Sequence, residues 1–159
     1  MMEIVQTHDF EKIEQLAHII WKEAYEKILS DEQIQFMLND FYTPEALAAQ
    51  SKEGHLFLLL KYDGIPEGFA SYSQIESDVY KVHKLYLHKS LRGKGAGTMM
   101  LDYITAQVRA AGGSRLQLNV NRNNPAKDFY LRLGFEIIES VDIPYRHFVL
   151  DDFVLERKV

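Results

Sequence analysis

The chain has 159 residues, 47% of them hydrophobic and 26% charged, with a formal net charge of −5. That length fits one domain, residues 1–159, with enough apolar mass for a full core. The absence of cysteine excludes disulfides, Cys-ligated zinc and a thioester on the protein, and no metal centre is expected. The acidic balance argues against a general nucleic-acid binder. No run approaches the roughly 20 apolar residues of a membrane span, and the first residues lack a signal pattern. A cytoplasmic protein that does not enter the membrane is therefore expected.

In chain order, Glu3–Gln6 reads as a short first strand. Asp9 is placed to cap a helix whose apolar residues, from Phe10 through Ile13, Leu16, Ile20 and Trp21 to Ile28, fall on one face. Ser30-Asp-Glu-Gln33 resembles a capping box for a second helix through Leu38, and Thr43-Pro44 starts a third that Gly54 ends. The pattern then turns to strands. His55–Lys61 is almost continuously apolar, as in a strand buried on both faces. Asp63-Gly64 marks a hairpin turn, Gly68–Ile75 is the returning strand, and Tyr80–His88 is the next. Gly97–Ala111 is helical up to Gly112-Gly113, Arg115–Val120 is a strand, and Pro125–Leu133 is a short helix closed by Gly134. Glu136–Val141 and His147–Lys158 are two last strands joined through Pro144. This order predicts a mixed α/β domain, and its consecutive hairpin strands set it apart from a doubly wound sheet.

Between the strand ending at His88 and the helix after it lies Arg92-Gly-Lys-Gly-Ala-Gly97. Residues this small leave the backbone bare, and the helix behind them offers unpaired N–H groups. That combination binds anions, most often phosphate. A nucleotide P-loop does not fit: Gly93 and Gly95 are too close, and no Lys-Ser or Lys-Thr follows the last glycine. A dinucleotide fingerprint does not fit either, because Thr98 stands at the third glycine and no early βαβ unit surrounds it.

Arg92–Gly97 is similar to the R/Q-x-x-G-x-G/A signature of the GCN5-related N-acetyltransferase (GNAT) family. Leu85-Tyr-Leu87 resembles that family's central strand. Asn121-Arg-Asn-Asn-Pro-Ala126 and Phe129-Tyr-Leu-Arg-Leu-Gly-Phe135 resemble its second cofactor segment. The resemblance covers essentially the whole chain and is sharpest over Val82–Phe135. It implies a mostly antiparallel twisted sheet of about seven strands, splayed at the cofactor site and flanked by helices on both faces. It also implies transfer of an acetyl group from acetyl-CoA to a primary amine of a small molecule or peptide, by direct attack in a ternary complex. An acyl-CoA-binding sensor without turnover is the alternative, and a homodimer is common in the family. The implied cofactor contacts are main-chain groups of Leu85, Tyr86 and Leu87 on the pantetheine arm. Arg92, Gly93, Lys94, Gly95, Ala96, Gly97 and Thr98 would surround the pyrophosphate, Asn124 or its neighbours Asn121 and Asn123 would hydrogen-bond the arm, and Lys127 would reach a phosphate or stay solvated.

The resemblance places Tyr130 beside the reacting sulfur, where a phenol of reference pKa ~10 holds a proton for the leaving thiolate. Many members carry a basic glutamate on the central strands, whereas Arg115–Asn121 offers only Gln117, Asn119 and Asn121. Glu76 and His83 are then the candidate bases. Trp21 and Tyr25, one helical turn apart, and Tyr145, beyond Pro144, are candidates for the acceptor side. Asp151-Asp152 is a candidate to attract a cationic amine, although only one of the two can face inward on an alternating strand, and a solvated pair is the simpler reading. The acceptor stays open among polyamines, amino acids, aminoglycosides, peptide N-termini and lysine side chains.

Overall fold

In a computed structural model that describes residues 1–159, the three early helices start where their capping residues place them. Side chains of Asp9, Ser30 and Thr43 accept from the backbone N–H groups of Lys12, Gln33 and Ala46, opening α1 (Phe10–Tyr25), α2 (Asp31–Phe41) and α3 (Pro44–Lys52). They follow β1 (Met2–Gln6). Helix α1 stops short of Ile28, because the N–H groups of Ile28 and Leu29 both turn back to the carbonyl of Tyr25.

Asp63 and Gly64 both have positive φ, 50° and 83°, as a two-residue hairpin turn matching strand twist requires. So tight a turn lets pairing begin at once, Tyr62 against Ile65, and β3 (Ile65–Gln74) starts three residues earlier than its sequence suggests. It follows β2 (Leu56–Tyr62) and precedes β4 (Val79–Leu87), α4 (Ala96–Ala110), β5 (Arg115–Asn121) and α5 (Ala126–Arg132). The chain finishes as β6 (Glu136–Tyr145) and β7 (Phe148–Lys158). Pro144 lies inside β6 rather than in a connection. It is tolerated because β6 is the edge strand, where one face of the ladder needs no donor.

The seven strands run in the order β1-β2-β3-β4-β5-β7-β6, antiparallel throughout except for the β4–β5 pair. The apolar run of β2 divides between two cores, as its lack of alternation predicts. Leu58 and Leu60 pack with Met100, Leu101 and Ile104 of α4, whereas Phe57 and Leu59 pack with Ile13 and Ile20 of α1 and Leu38 of α2. Helices therefore cover both faces of the sheet. None of them is long and apolar enough to cross a membrane.

The single parallel pair is also the least complete. Strands β4 and β5 are joined only from Val79–Arg115 to Val82–Leu118. At that point β4 carries a bulge: Tyr72 faces Val82 and Ser71 faces Lys84, which leaves His83 as the extra residue. Beyond it β4 stays paired to β3 as far as Leu87, and β5 to β7 as far as Asn121. The strands part into a wedge, and the β5-facing edge of β4 is left without a strand partner.

Candidate active site

The wedge is a cavity of about 200 Å³, walled by β4 from Val82 to Leu87, by β5 from Leu118 to Val120, and by Tyr25, Asn124 and Tyr130. Leu87 connects it to a second cavity, lined by Arg92, Gly93, Gly95, Gly97, Thr98 and Phe129 among others. Gly93 and Gly95 both sit at φ +75°, and a Cβ on either would meet nothing within 4 Å. Glycine is needed there for the left-handed backbone, not for room. Gly97 is the opposite case: a Cβ would stand 2.9 Å from Phe129 Cζ. Gly95 caps α4 with no side-chain hydrogen bond, so the first N–H groups of a 15-residue helix face the cavity uncapped. The cationic side chains are less committed to the loop. Lys94 Nζ lies over the Tyr62 ring, 4.5 Å from its centroid, and Lys127 Nζ lies 5.4 Å from that of Phe153. Asn121 and Asn124 shape the turn into α5, where their side-chain oxygens accept from the N–H groups of Asn123 and Ala126.

Tyr130 reaches the wedge from α5 and is buried, at 9% exposure. Burial, with a smaller contribution from nearby Tyr25, pushes its hydroxyl well above the ordinary value of 10, so it keeps its proton at neutral pH. His83 borders the same space. Its Nε2 lies 2.7 Å from Ser73 Oγ, and its ring stacks on His55 at 4.0 Å. Burial first, then the nearby His55, Lys81 and Lys84, pull it down to about 3. It is neutral at pH 7 and a weak proton acceptor, which weighs against the basic role its ordinary pKa suggests. Glu76 is exposed in the β3–β4 turn, where its N–H bonds the Val79 carbonyl, at the end of β4 opposite the wedge. That position removes it from the chemistry. Sequence order placed Glu76 near β4 without showing at which end the strands part.

Beyond Tyr25 and Tyr86, whose hydroxyls are 2.9 Å apart, lies a vestibule of about 140 Å³. It shares Tyr25, His83, Tyr86 and Asn119 with the wedge. Trp21, Leu29, Met37 and Leu150 supply its apolar walls; Asn121 and Asp152 are polar. Trp21 is a core residue that also borders a cavity, with its ring 4.7 Å from that of Tyr25. Tyr145 borders neither cavity. Its hydroxyl donates to Asp40 of α2, and Arg146 donates to both oxygens of the same carboxylate at 2.9 and 2.8 Å. It ties the β6–β7 hairpin to α2 instead of meeting an acceptor.

Asp151 and Asp152 are not a solvated pair. Asp151 is exposed and lies 3.7 Å from Arg122, while Asp152 is half-buried and faces the vestibule, two residues from Leu150 on the same strand face. Burial raises its carboxyl above the ordinary 3.8. Strand alternation signals that one of the two turns inward, and the register of β7 against β5 decides which.

The model of the Acetyltransferase (GNAT) family matches residues 11–135. The chain belongs to the GNAT family. An uncharacterized N-acetyltransferase of Methanocaldococcus jannaschii is 32% identical to it over 92 residues. That match covers 54% of this chain and 41% of the relative, so it spans about two-fifths of the relative's length. The PaiA N-acetyltransferase of Thermoplasma acidophilum, solved in complex with coenzyme A, is 27% identical, with a TM-score of 0.85 over 100% of this chain and 99% of that one. A GCN5-related N-acetyltransferase of Rhodopseudomonas palustris shares the fold at 18% identity, with a TM-score of 0.82 over 100% and 95% of the two chains. The donor of the GNAT family is acetyl-CoA. The GNAT wedge of this chain suits it: a free strand edge for the arm, opening at one end on an uncapped helix start.

Proposed function

We propose that this chain is an acetyl-CoA-dependent N-acetyltransferase acting on a primary amine by direct attack in a ternary complex. One observation carries the reading. A single run of connected cavities leads from the start of α4 through the β4–β5 wedge to the aromatic vestibule, with Tyr130 on its wall between the ends.

On the donor side, backbone N–H groups of Arg92–Thr98 would hold the pyrophosphate, and the free edge of β4 at Leu85–Leu87 would hold the arm by main-chain hydrogen bonds. The Asn124 side-chain amide nitrogen is available to the arm, because only its oxygen is used by Ala126. When bound, acetyl-CoA supplies an acyl carbon activated as a thioester. A backbone N–H near Leu87 stabilises charge on the carbonyl oxygen. Tyr130, protonated and dry, supplies the proton that the departing sulfur needs. Tyr25 and Tyr86 bring the amine to the wedge from the other side. With no cysteine in the chain, no covalent thioester on the protein intervenes.

Free-thiol release from acetyl-CoA against a broad amine panel tests the activity, with CoA binding measured separately by calorimetry. Turnover with at least one amine is expected. Saturable CoA binding with no turnover on any amine would point to an acyl-CoA sensor.

A further inference from the structure

The vestibule has a distinctive polar end. Asp152 contributes its one carboxylate, and no cation forms an ion pair with it. Arg122 is committed to Asp142 at 2.9 Å and to Asp151 at 3.7 Å. Lys81 and Arg122 act on Asp152 through their fields without forming an ion pair with it. The hydrogen bond that Asp152 receives is long, 3.4 Å from Asn119 Nδ2. The other end of that amide is unsatisfied: Asn119 Oδ1 is buried with no hydrogen-bond partner, and Asn119 borders both the wedge and the vestibule. A half-buried carboxylate and a buried orphan carbonyl are two acceptors seeking donors, and each is costly to leave unmade.

The surroundings define the missing donor. His83 on the polar side is neutral at pH 7 and does not repel a cation, and Lys81 and Lys84, whose fields reach it, do not line the vestibule. The rings of Trp21, Tyr25 and Tyr86 supply aromatic surface, which favours cations. Leu29, Met37 and Leu150 wall the rest with apolar side chains. The hairpin carrying Leu150 and Asp152 is held on α2 through Asp40, and the vestibule it helps to enclose holds only about 140 Å³.

The geometry points to a compact primary alkylamine, with no carboxylate beside its nitrogen, as the acceptor, held as its ammonium by Asp152 and the Asn119 side-chain oxygen. This rests on the acetyltransferase reading above and adds the substrate class and the group that takes the proton. The ammonium gives one proton to Asp152, which passes it to water. The freed lone pair forms the C–N bond as the C–S bond breaks. Tyr130 gives its proton to sulfur, and the second nitrogen proton passes to the Tyr130 oxygen, which restores the hydroxyl. Ammonium and thioester thus become amide, thiol and one proton in solution. An amino acid would bring its own carboxylate against Asp152, and a peptide would need room that the vestibule does not leave.

The experiment uses the full chain with n-butylamine, alanine and a heptapeptide with a free N-terminus, in the thiol-release assay. kcat/KM should favour n-butylamine over the other two by about tenfold or more, by the penalty for an unpaired or like charge. Asp152→Asn should raise KM for n-butylamine by about tenfold or more and also lower kcat, while leaving CoA affinity within about twofold, and Asp152→Glu should recover part of both losses. Preference for alanine or the peptide, or an Asp152→Asn variant with unchanged kcat/KM, would overturn the assignment while leaving the acetyltransferase reading intact. Turnover of none of the three amines, with some other amine accepted, would overturn it in the same way. If no amine at all is turned over although CoA binds, the acetyltransferase reading falls. Calorimetry with n-butylammonium then decides the site alone: binding lost in Asp152→Asn supports the cation site, and no binding overturns it.

Discussion

At Tyr130, burial does two things at once. It brings the phenol to the wall of the wedge and raises its pKa, so that the hydroxyl keeps its proton at neutral pH, as the proposed role of donor to the departing sulfur requires. A phenylalanine keeps the packing against Phe129 and Phe135 and deletes only the hydroxyl. Tyr130→Phe is therefore expected to lower kcat about 100-fold, the lower range for loss of a general acid, with acetyl-CoA affinity nearly unchanged. Steady-state kinetics beside equilibrium CoA binding checks this, and an unchanged kcat removes Tyr130 as the proton donor. Single residues were unevenly legible in the chain. The motif Phe129–Phe135 pointed to Tyr130, and helical spacing paired Trp21 with Tyr25; all three border the cavities. The Asp151-Asp152 pair was visible as an attractor for a cationic amine, but alternation cannot say which of two adjacent aspartates turns inward. His83 misled, because its basicity depends on His55, Lys81 and Lys84, none of which its local sequence ties to it.

Among the elements, the turn into α4 carries the donor reading. Gly95 holds φ +75° and opens a helix whose N–H groups lack a side-chain cap. Two substitutions separate backbone shape from charge. Gly95→Ala meets no neighbour, so its cost is the left-handed conformation itself, about 1 kcal/mol, read from the denaturation midpoint. Gly95→Glu carries a similar strain and adds a negative charge at the anion site. CoA affinity should fall about tenfold beyond the alanine variant, by loss of the favourable helix-end field and like-charge repulsion. Equal affinities in calorimetry would move the pyrophosphate elsewhere. The caps at Asp9, Ser30 and Thr43 and the Asp63-Gly64 turn were readable because they depend on neighbours within a few residues. The start of β3, the inclusion of Pro144 in β6 and the bulge at His83 were not, because each depends on which strand lies alongside.

For the molecule as a whole, the vestibule exists only because two distant parts of the chain meet. The tip of the β6–β7 hairpin docks on α2, with Tyr145 and Arg146 on Asp40, His147 2.7 Å from Glu32, and Arg146 4.2 Å from the centroid of Phe36. Bonds from Arg146, then from Tyr145, hold the Asp40 carboxyl down at about 2, below its ordinary 3.8. The sign follows from linkage: the docked state binds fewer protons there than the undocked one, so docking is fully supported above about pH 4 and weakens as pH falls towards 2. His83 acts separately. With its pKa near 3 instead of 6.5, it already weakens the whole fold as pH falls from about 6.5 towards 3. Asp40→Asn distinguishes the two, since it removes the titrating group from the hairpin and leaves His83 in place. Backbone amide shifts of Tyr145–Phe148, followed by NMR, should titrate with a midpoint near pH 2 in the parent and lose that step in Asp40→Asn. KM for the amine should rise in the variant at neutral pH while CoA affinity holds, because the hairpin carries Leu150 and Asp152 to the vestibule and lines neither the wedge nor the cavity at the start of α4. A parent hairpin whose shifts stay flat through this range, or an amine KM indifferent to Asp40, would mean that the docking of Tyr145 and Arg146 does not set the acceptor site.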